Sequence, residues 1–160
     1  MYIGYLPLAH VLELIGESMV IVLGVPIGYS SPYTLTDKSL MIKEGNKGDA
    51  TILKPTFIAF VPLVLDKSYK RVHEEAKKKG DFFENFFHFC TQYKIAASNR
   101  GEVTPIMDKL IFRGIRQLLG GKVRLMICGG APLSPESHEF IRSCMGCPLL
   151  QGYSLTETSG

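Results

Sequence analysis

The stretch KVRLMICGGAPLSPESHEFIRSCMGCPLLQGY, residues 122–153, decides the fold. It opens on a nearly continuous apolar run, residues 122–130, which ends in two glycines and is typical of a strand buried on both faces of a parallel sheet. Ser134 and Pro135 then offer an N-cap and a first helical position, and residues 147–153 return to a strand pattern. Strand, helix and strand in this order predict a βαβ unit, and hence an α/β fold with a parallel sheet.

The first third of the chain predicts one more strand and one helix. Residues 2–6 are rich in β-forming side chains and predict a short strand. Residues 10–23 predict a helix, on which Glu13 and Glu17 form a solvent-exposed edge. Residues 24–48 contain frequent glycine, proline and serine, and we expect them to be mostly turns and connections.

The middle of the chain predicts a strand followed by three helices. Residues 50–60 have the composition of a strand, although Pro55 interrupts it. Apolar residues at helical spacing then predict helices over residues 65–76 and 82–93. Residues 105–118 begin with a proline and are followed by two glycines, so we expect one continuous helix there.

The helix over residues 82–93 carries an aromatic stripe. Its members recur at helical spacing and are Phe82, Phe86, Phe89 and Tyr93. Phe83, Phe87 and Cys90 lie beside them on the same helix. Aromatic stripes usually pack against other elements, so we expect the stripe to belong to the core, with a lipid-binding face as the alternative.

Composition and charge exclude several classes of protein. The chain has 160 residues, 46% of them hydrophobic and 21% charged, which is typical of one soluble globular domain. The net charge is only +3 and acidic residues interrupt the basic cluster at residues 66–80, so no nucleic-acid partner is expected. The apolar run at residues 18–28 is too short for a transmembrane helix, and we find no signal peptide. We therefore expect an intracellular, reducing environment.

The four cysteines raise one alternative function. Cys144 and Cys147 form a CxxC pair, and Cys128 and His138 are candidate further ligands for a zinc or redox module. Their spacing fits no common zinc module, and Cys128 lies within the predicted apolar strand. Structural thiols are therefore the expected state, with a metal or redox module as the alternative.

Two loops follow neighbouring strands of the predicted βαβ unit, at the sheet edge where such folds bind ligands. In residues 129–134 the glycines and Ala131 leave the backbone open to a flat ligand. Residues 151–160 offer the ring of Tyr153 for stacking, several hydroxyls for phosphates, and the carboxylate of Glu157 for Mg²⁺. From these residues alone, a nucleotide site and a pair of ordinary surface turns both stay open.

Five collinear segments resemble the adenylate-forming enzymes and, among them, the long-chain fatty acid–CoA ligases. QGYSLTET, residues 151–158, resembles the adenylate-binding signature, and GGAPLSP, residues 129–135, resembles the adenine-site loop. Residues 2–14 resemble the segment that carries an acyl-pocket histidine, and residues 53–72 and 118–137 match the long-chain branch.

The resemblance assigns roles to individual residues. The nucleotide-binding set that it implies consists of Gly129, Gly130, Ala131, Gln151, Gly152, Tyr153, Ser154 and Thr156. Thr156 and Glu157 are implied to be catalytic, Glu157 as a ligand of Mg²⁺, and His10 is implied to lie beside the acyl-adenylate. Ser154 stands where most members have glycine, which is expected to affect nucleotide affinity.

The resemblance also implies a reaction and a place in a larger protein. A long-chain fatty acid would attack ATP to give an acyl-adenylate and diphosphate, and coenzyme A would then release AMP and form acyl-CoA. Residues 1–160 would be part of the large N-terminal domain, with the phosphate loop before them and a C-terminal domain after them.

Such a fragment is expected to be inactive alone. Its parent is expected to associate with the endoplasmic reticulum or another cytosol-facing membrane through segments outside this chain. The alternative is a truncated, non-catalytic nucleotide-binding or structural fragment.

Overall fold

The computed structural model describes residues 1–153, which form five strands and seven helices in an α/β arrangement. In chain order they are β1 (Tyr2–Gly4), α1 (Val11–Val22), β2 (Ile27–Tyr29), α2 (Asp49–Leu53), β3 (Phe57–Phe60), α3 (Pro62–Lys78), α4 (Asp81–Asn99), α5 (Pro105–Leu110), α6 (Arg113–Gln117), β4 (Leu125–Gly129), α7 (Pro135–Met145) and β5 (Leu149–Gly152). The predicted fold class is confirmed.

The strands form one parallel sheet in the order β2-β1-β3-β4-β5. Helix α1 covers one face, where Tyr2, Val20 and Ala59 form a small buried cluster. Helices α3, α4 and α7 cover the other face, over the main core that includes Ile58 and Met126. Because all strands run the same way, their carboxyl ends lie along a single edge of the sheet.

The predicted βαβ unit is confirmed as β4, α7 and β5. The Ser134 hydroxyl caps α7 by accepting a hydrogen bond from the Ser137 amide at 3.2 Å, and Pro135 takes the first helical position. Gly146 ends the helix with φ of +65°, a conformation that glycine adopts without strain. Local signals therefore set both ends of this helix.

Of two predictions before β3, one is confirmed and the other is wrong in part. Residues 24–48 are mostly turns and connections as expected, and their one strand is β2, three residues that pair with β1 and are too few to show a periodic pattern. The first half of the strand expected over residues 50–60 is instead α2, which ends at Lys54 in the left-handed region with φ of 50°. Only Phe57–Phe60, after Pro55, joins the sheet.

The single helix predicted over residues 105–118 is two helices, α5 and α6. Between them the Phe112 amide donates a hydrogen bond to the Met107 carbonyl, five residues earlier, instead of to the residue four earlier as in a regular α-helix. The Phe112 side chain is fully buried. The Asp108 carboxylate also lies 2.8 Å from both the Lys94 ammonium and the Arg116 guanidinium. Burial of Phe112 and this ion cluster explain a break that the apolar spacing did not indicate.

The aromatic stripe of α4 does not belong to the core, which corrects the prediction. Its four side chains are exposed by 87% (Phe82), 47% (Phe86), 64% (Phe89) and 47% (Tyr93). Phe87 and Cys90 face the core instead, and Lys94 of the same helix is also buried. Lys94 is buried because Asp108 and the Thr104 hydroxyl satisfy it, and a hydrophobicity pattern cannot anticipate such partners.

Candidate functional site

The carboxyl ends of β4 and β5 place the two predicted loops side by side. Gly129, the last residue of β4, lies opposite Gly152, the last residue of β5. Gly130, Ala131 and Gly152 are exposed at this edge, so their backbone is accessible. The sequence predicted this proximity, and the structure brings the loops together as far as residue 153.

Glycine at position 130 meets a conformational requirement. Gly130 has φ of +92°, which residues with a side chain rarely adopt. A Cβ atom at this position would lie 3.5 Å from Cε1 and 3.6 Å from Nε2 of His10. The imidazole therefore lies beside Gly130, at van der Waals distance from the position that a side chain would occupy there, although 120 residues separate the two in the sequence.

His10 occupies the N-cap position of α1. Its Nδ1 accepts a hydrogen bond from the Leu12 amide at 3.2 Å, which satisfies one of the free amides at the start of the helix. Because Nδ1 is an acceptor, a neutral ring carries its proton on Nε2. His10 therefore presents an N–H donor on the side of the ring that lies near Gly130.

Glu13 is a residue of this region whose role the sequence analysis missed. It was expected on a solvent-exposed edge, yet only 1% of it is exposed. Its carboxylate accepts hydrogen bonds from the Tyr2 hydroxyl at 2.8 Å and from the Leu6 amide at 3.2 Å. Burial raises the pKa of Glu13, while the hydrogen bonds from Tyr2 and Leu6 lower it, and burial has the larger effect. Glu13 thus ties both β1 and the segment that leads from it to His10 to helix α1.

Two small residues make room for this carboxylate and its partner. A Cβ atom on Gly4 would lie 2.9 Å from Oε1 of Glu13, and one on Gly16 would lie 2.8 Å from the Tyr2 hydroxyl. Glu13 lies three residues after the N-cap His10, which is the spacing of a reciprocal capping pair. Its carboxylate instead accepts from Tyr2 and Leu6, while the His10 amide donates to the Pro7 carbonyl, so this spacing does not indicate its role.

Gln151 and His138 hold the neighbouring loop and helix against β5. The Gln151 side-chain oxygen accepts a hydrogen bond from the Leu133 amide at 3.4 Å. His138 Nε2 lies 2.9 Å from the Leu149 carbonyl oxygen, so its proton is on Nε2 in the neutral form. These contacts connect the segment after Gly130 to the strand that precedes Tyr153.

Of the remaining predicted site residues, Tyr153 is the last one that the structure describes. Tyr153 directly follows β5 and is 91% exposed, so its ring is accessible for stacking. Ser154, Thr156 and Glu157 lie outside the described residues, and their assigned roles stay predictions.

The four thiols are buried and unreactive in character. Burial raises the pKa of Cys128 and of Cys147 to about 11, and raises that of Cys144 well above its usual value. Metal binding and redox exchange need the thiolate, which these pKa values disfavour near neutral pH. Within residues 1–153 no three histidine, cysteine or acidic side chains are grouped to hold a metal ion. The geometry therefore favours structural thiols.

Comparison of the sequence with known protein families identifies one match. A model described as AMP-binding enzyme matches residues 1–160. The chain belongs to the AMP-binding enzyme family. Within that family it is 46% identical to long chain acyl-CoA synthetase 8 of Arabidopsis thaliana, covering 98% of this chain and 23% of the relative. It is 35% identical to long chain acyl-CoA synthetase 1 of the same plant, covering 99% of this chain and 23% of that relative. The chain thus spans about a quarter of the length of these AMP-binding relatives.

Solved structures support the fold of this AMP-binding family member. The adenylation domain of a carboxylate reductase from Mycobacterium chelonae matches with a TM-score of 0.62 at 23% identity, over 97% of this chain and 20% of that chain. The corresponding domain from Segniliparus rugosus, in complex with AMP and a co-purified carboxylic acid, matches with a TM-score of 0.58 at 22% identity, again over 97% of this chain and 20% of that one. At these identities the likeness establishes the shared fold.

Proposed function

We propose that this chain is part of the AMP-binding domain of a long-chain fatty acid–CoA ligase. The protein would convert a long-chain fatty acid, ATP and coenzyme A to acyl-CoA, AMP and diphosphate through an acyl-adenylate. The observation that carries the proposal is the position of the His10 imidazole beside Gly130, at the edge where β4 and β5 end side by side. The 46% identity to a long chain acyl-CoA synthetase supports the substrate class.

The proposed site acts through positioning and charge stabilisation. The backbone of Gly129, Gly130 and Ala131 would line one side of the adenine, and Tyr153 would stack on it. In adenylation a carboxylate oxygen would bond to the α-phosphorus of ATP while diphosphate leaves, and fixed hydrogen-bond donors would stabilise the negative charge on the phosphate oxygens in the transition state. The accessible backbone at this edge and the exposed Tyr153 ring are compatible with these roles.

His10 would act as a hydrogen-bond donor rather than as a base. Its Nδ1 is already engaged with the Leu12 amide, so Nε2 carries the proton and cannot accept another in the neutral ring. An Nε2–H group beside Gly130 can bind an oxygen of the carboxylate or the acyl-adenylate. Glu13 would support this role by ordering the segment before His10.

Magnesium is the proposed metal, with Glu157 as its ligand, because Mg²⁺ prefers carboxylate oxygens. The ion would supply charge neutralisation for the phosphates when it is bound. Thr156 would contact a phosphate oxygen through its hydroxyl. We further propose that the whole protein works on the endoplasmic reticulum or another cytosol-facing membrane.

Fatty-acid-dependent exchange between diphosphate and ATP in the full-length protein tests the proposal. Exchange is expected only when a long-chain fatty acid is present, and His10→Ala is expected to lower kcat/KM by roughly 100-fold, as for the loss of an oxyanion donor. His88→Ala, which changes an exposed histidine of α4, is the matched control and should stay within about twofold of the parent. Absence of exchange, with nucleotide still bound, would favour the non-catalytic alternative.

A further inference from the structure

Helices α5 and α6 and the connection to β4 concentrate positive charge. Residues 104–124 carry five basic side chains and one acidic side chain, a net charge of +4, whereas the whole chain carries +3. The basic residues of this segment are Lys109, Arg113, Arg116, Lys122 and Arg124. The rest of the chain is therefore close to neutral, and the excess positive charge belongs to this segment.

Part of this charge lines an open pocket formed by α5, α6 and the turn that follows them. The pocket has a volume of about 450 Å³. Its charged and amide-bearing lining residues are Lys109, Arg113, Arg116, Gln117 and Asp108. Three of them are cations, and the Gln117 side chain adds an amide that can donate hydrogen bonds. We call this site the α5–α6 pocket.

Asp108 is the acidic lining residue, and it does not cancel the positive charge. Its Oδ1 lies 2.8 Å from the ammonium of Lys94 and 2.8 Å from the guanidinium of Arg116, so two cations share one carboxylate. Within residues 1–153 neither Lys109 nor Arg113 belongs to an ion pair. The α5–α6 pocket therefore keeps a net positive charge.

The neighbouring elements bring no carboxylate to this region within the described part of the chain. Helix α4 has no acidic residue after Glu84, and α7 has none after Glu139, so the C-terminal ends of both helices, which contact α5 and α6, lack carboxylates. Glu102, which precedes α5, accepts two hydrogen bonds from the Arg100 guanidinium at 2.8 Å. The positive charge of the pocket is thus not balanced from outside it.

Arg116 is held in a fixed orientation by the fold. Its Nε donates a hydrogen bond to the Cys144 carbonyl at 2.9 Å, and its Nη2 lies 2.8 Å from Asp108. Gly146 leaves room for the side chain, because a Cβ atom at that position would overlap the guanidinium. A guanidinium has five N–H donors, so Arg116 keeps donors that these contacts do not use. Arg113, three residues earlier on the same helix and exposed, adds a second guanidinium.

The α5–α6 pocket lies away from the strand edge that holds the proposed adenylate site. Gly121, another lining residue, precedes β4, whereas Gly130 follows it. The five residues of β4 span roughly 15 Å. The pocket is therefore near the amino ends of the strands, at the opposite side of the sheet from His10.

We propose that the α5–α6 pocket binds a phosphate group, with Arg113 and Arg116 donating hydrogen bonds to its oxygens and Lys109 adding a third positive charge. Arginine suits phosphate because its planar fork can donate two parallel hydrogen bonds to two oxygens. Three cations around an acid that is already paired suit a dianion better than a single carboxylate. Inorganic phosphate and the phosphate of a small ester share this chemistry. The inference goes beyond the proposed function, because the pocket takes part in no step of the reaction.

Isothermal titration calorimetry of the full-length protein with inorganic phosphate tests the pocket. Ionic strength is held constant, and the strand edge is filled with a non-hydrolysable acyl-adenylate analogue so that phosphate does not bind there. The double variant K109Q/R113Q, which changes two exposed side chains, is expected to bind phosphate at least about tenfold more weakly. R113K keeps the charge but loses the planar fork, and it is expected to bind roughly threefold more weakly.

The matched control is K67Q/K70Q, which removes the same charge from two exposed lysines of α3 and should bind phosphate like the parent. Equal weakening by the two double variants would overturn the proposal, because overall charge would then explain the attraction. R113K binding like the parent would overturn the proposed arginine contacts. A parent that binds no phosphate would also overturn the proposal, as when a carboxylate from another segment fills the pocket.

A second titration with phenyl phosphate distinguishes the two sources of the phosphate group. Tighter binding than that of inorganic phosphate, again lost in K109Q/R113Q, would support the proposal and assign the pocket to a phosphate ester. Equal or weaker binding, with inorganic phosphate still bound, would support it and assign the pocket to the free ion. Phenyl phosphate binding that K109Q/R113Q leaves unchanged would contradict the proposed site.

Discussion

The strand edge and the helical layer formed by α3 to α6 follow from the sequence in different ways. In the β4–α7–β5 unit that forms the strand edge, Gly130, Ser134 and Gly146 each perform a function that depends on the residue itself, a positive φ or a cap. In the helical layer, whether a side chain is buried depends on distant partners, as for Lys94 with Asp108. Caps and glycines, which act locally, therefore position the candidate site. Contacts between helices determine which face of each helix is buried.

The largest expected effect separates the two sides of α4. Phe87→Ala should lower the free energy of unfolding by about 3–5 kcal/mol, because Phe87 is 6% exposed and its removal leaves a cavity. Phe82→Ala should cost less than about 0.5 kcal/mol, because Phe82 is 87% exposed. Urea denaturation followed by circular dichroism measures both. Equal losses would mean that the aromatic stripe is buried after all.

The second prediction concerns the strand edge. Gly130→Ala should lower fatty-acid-dependent exchange by roughly 100-fold, because a side chain at φ of +92° is strained and displaces the loop against His10. Gly101→Ala is the matched control, since Gly101 also has a positive φ, +75°, but open space around it. It should lose only about 1 kcal/mol of stability and keep its activity. Similar activity in the two variants would show that the conformation of Gly130 at the strand edge is not needed for the reaction.

The sequence predicted the βαβ unit, the parallel sheet and the proximity of the two loops. Each of these follows from a local signal: a continuous apolar strand, a serine N-cap, or a glycine that ends an element. Such signals determine the structure of residues next to them in the sequence. The sequence did not predict the break at Phe112 or the burial of Lys94, because both depend on contacts between α4 and the segment that holds α5 and α6. Glu13 was missed for a similar reason, since its partner Tyr2 belongs to the strand before it.

The third prediction tests whether Glu13 orders the segment before His10. Glu13→Ala should lower the free energy of unfolding by about 2 kcal/mol, because it leaves the Tyr2 hydroxyl and the Leu6 amide buried without an acceptor. Glu13→Gln can keep both hydrogen bonds, with its oxygen toward Leu6 and its amide toward Tyr2, and should stay within about 1 kcal/mol of the parent. Urea denaturation measures both, and equal losses would contradict this role for the hydrogen bonds.

The smallest effect is a pH dependence from the same carboxylate. Because burial raises the pKa of Glu13 in the folded protein above 4.5, protonation favours the folded state. The stability that this group contributes is full below its unfolded pKa and is lost as the pH rises through its folded pKa. The parent should therefore gain stability relative to Glu13→Gln as the pH falls from 7 toward 4.5. A pH-independent difference between the two unfolding free energies would contradict the raised pKa.

The most direct test of the proposed site is a crystal structure of the full-length protein with a non-hydrolysable acyl-adenylate analogue. The adenine should lie along Gly129, Gly130 and Ala131 with Tyr153 stacked on it. An oxygen of the analogue should lie about 3 Å from Nε2 of His10, at hydrogen-bond distance. An analogue bound away from the ends of β4 and β5, or a His10 ring turned so that Nδ1 leaves the Leu12 amide, would contradict the account.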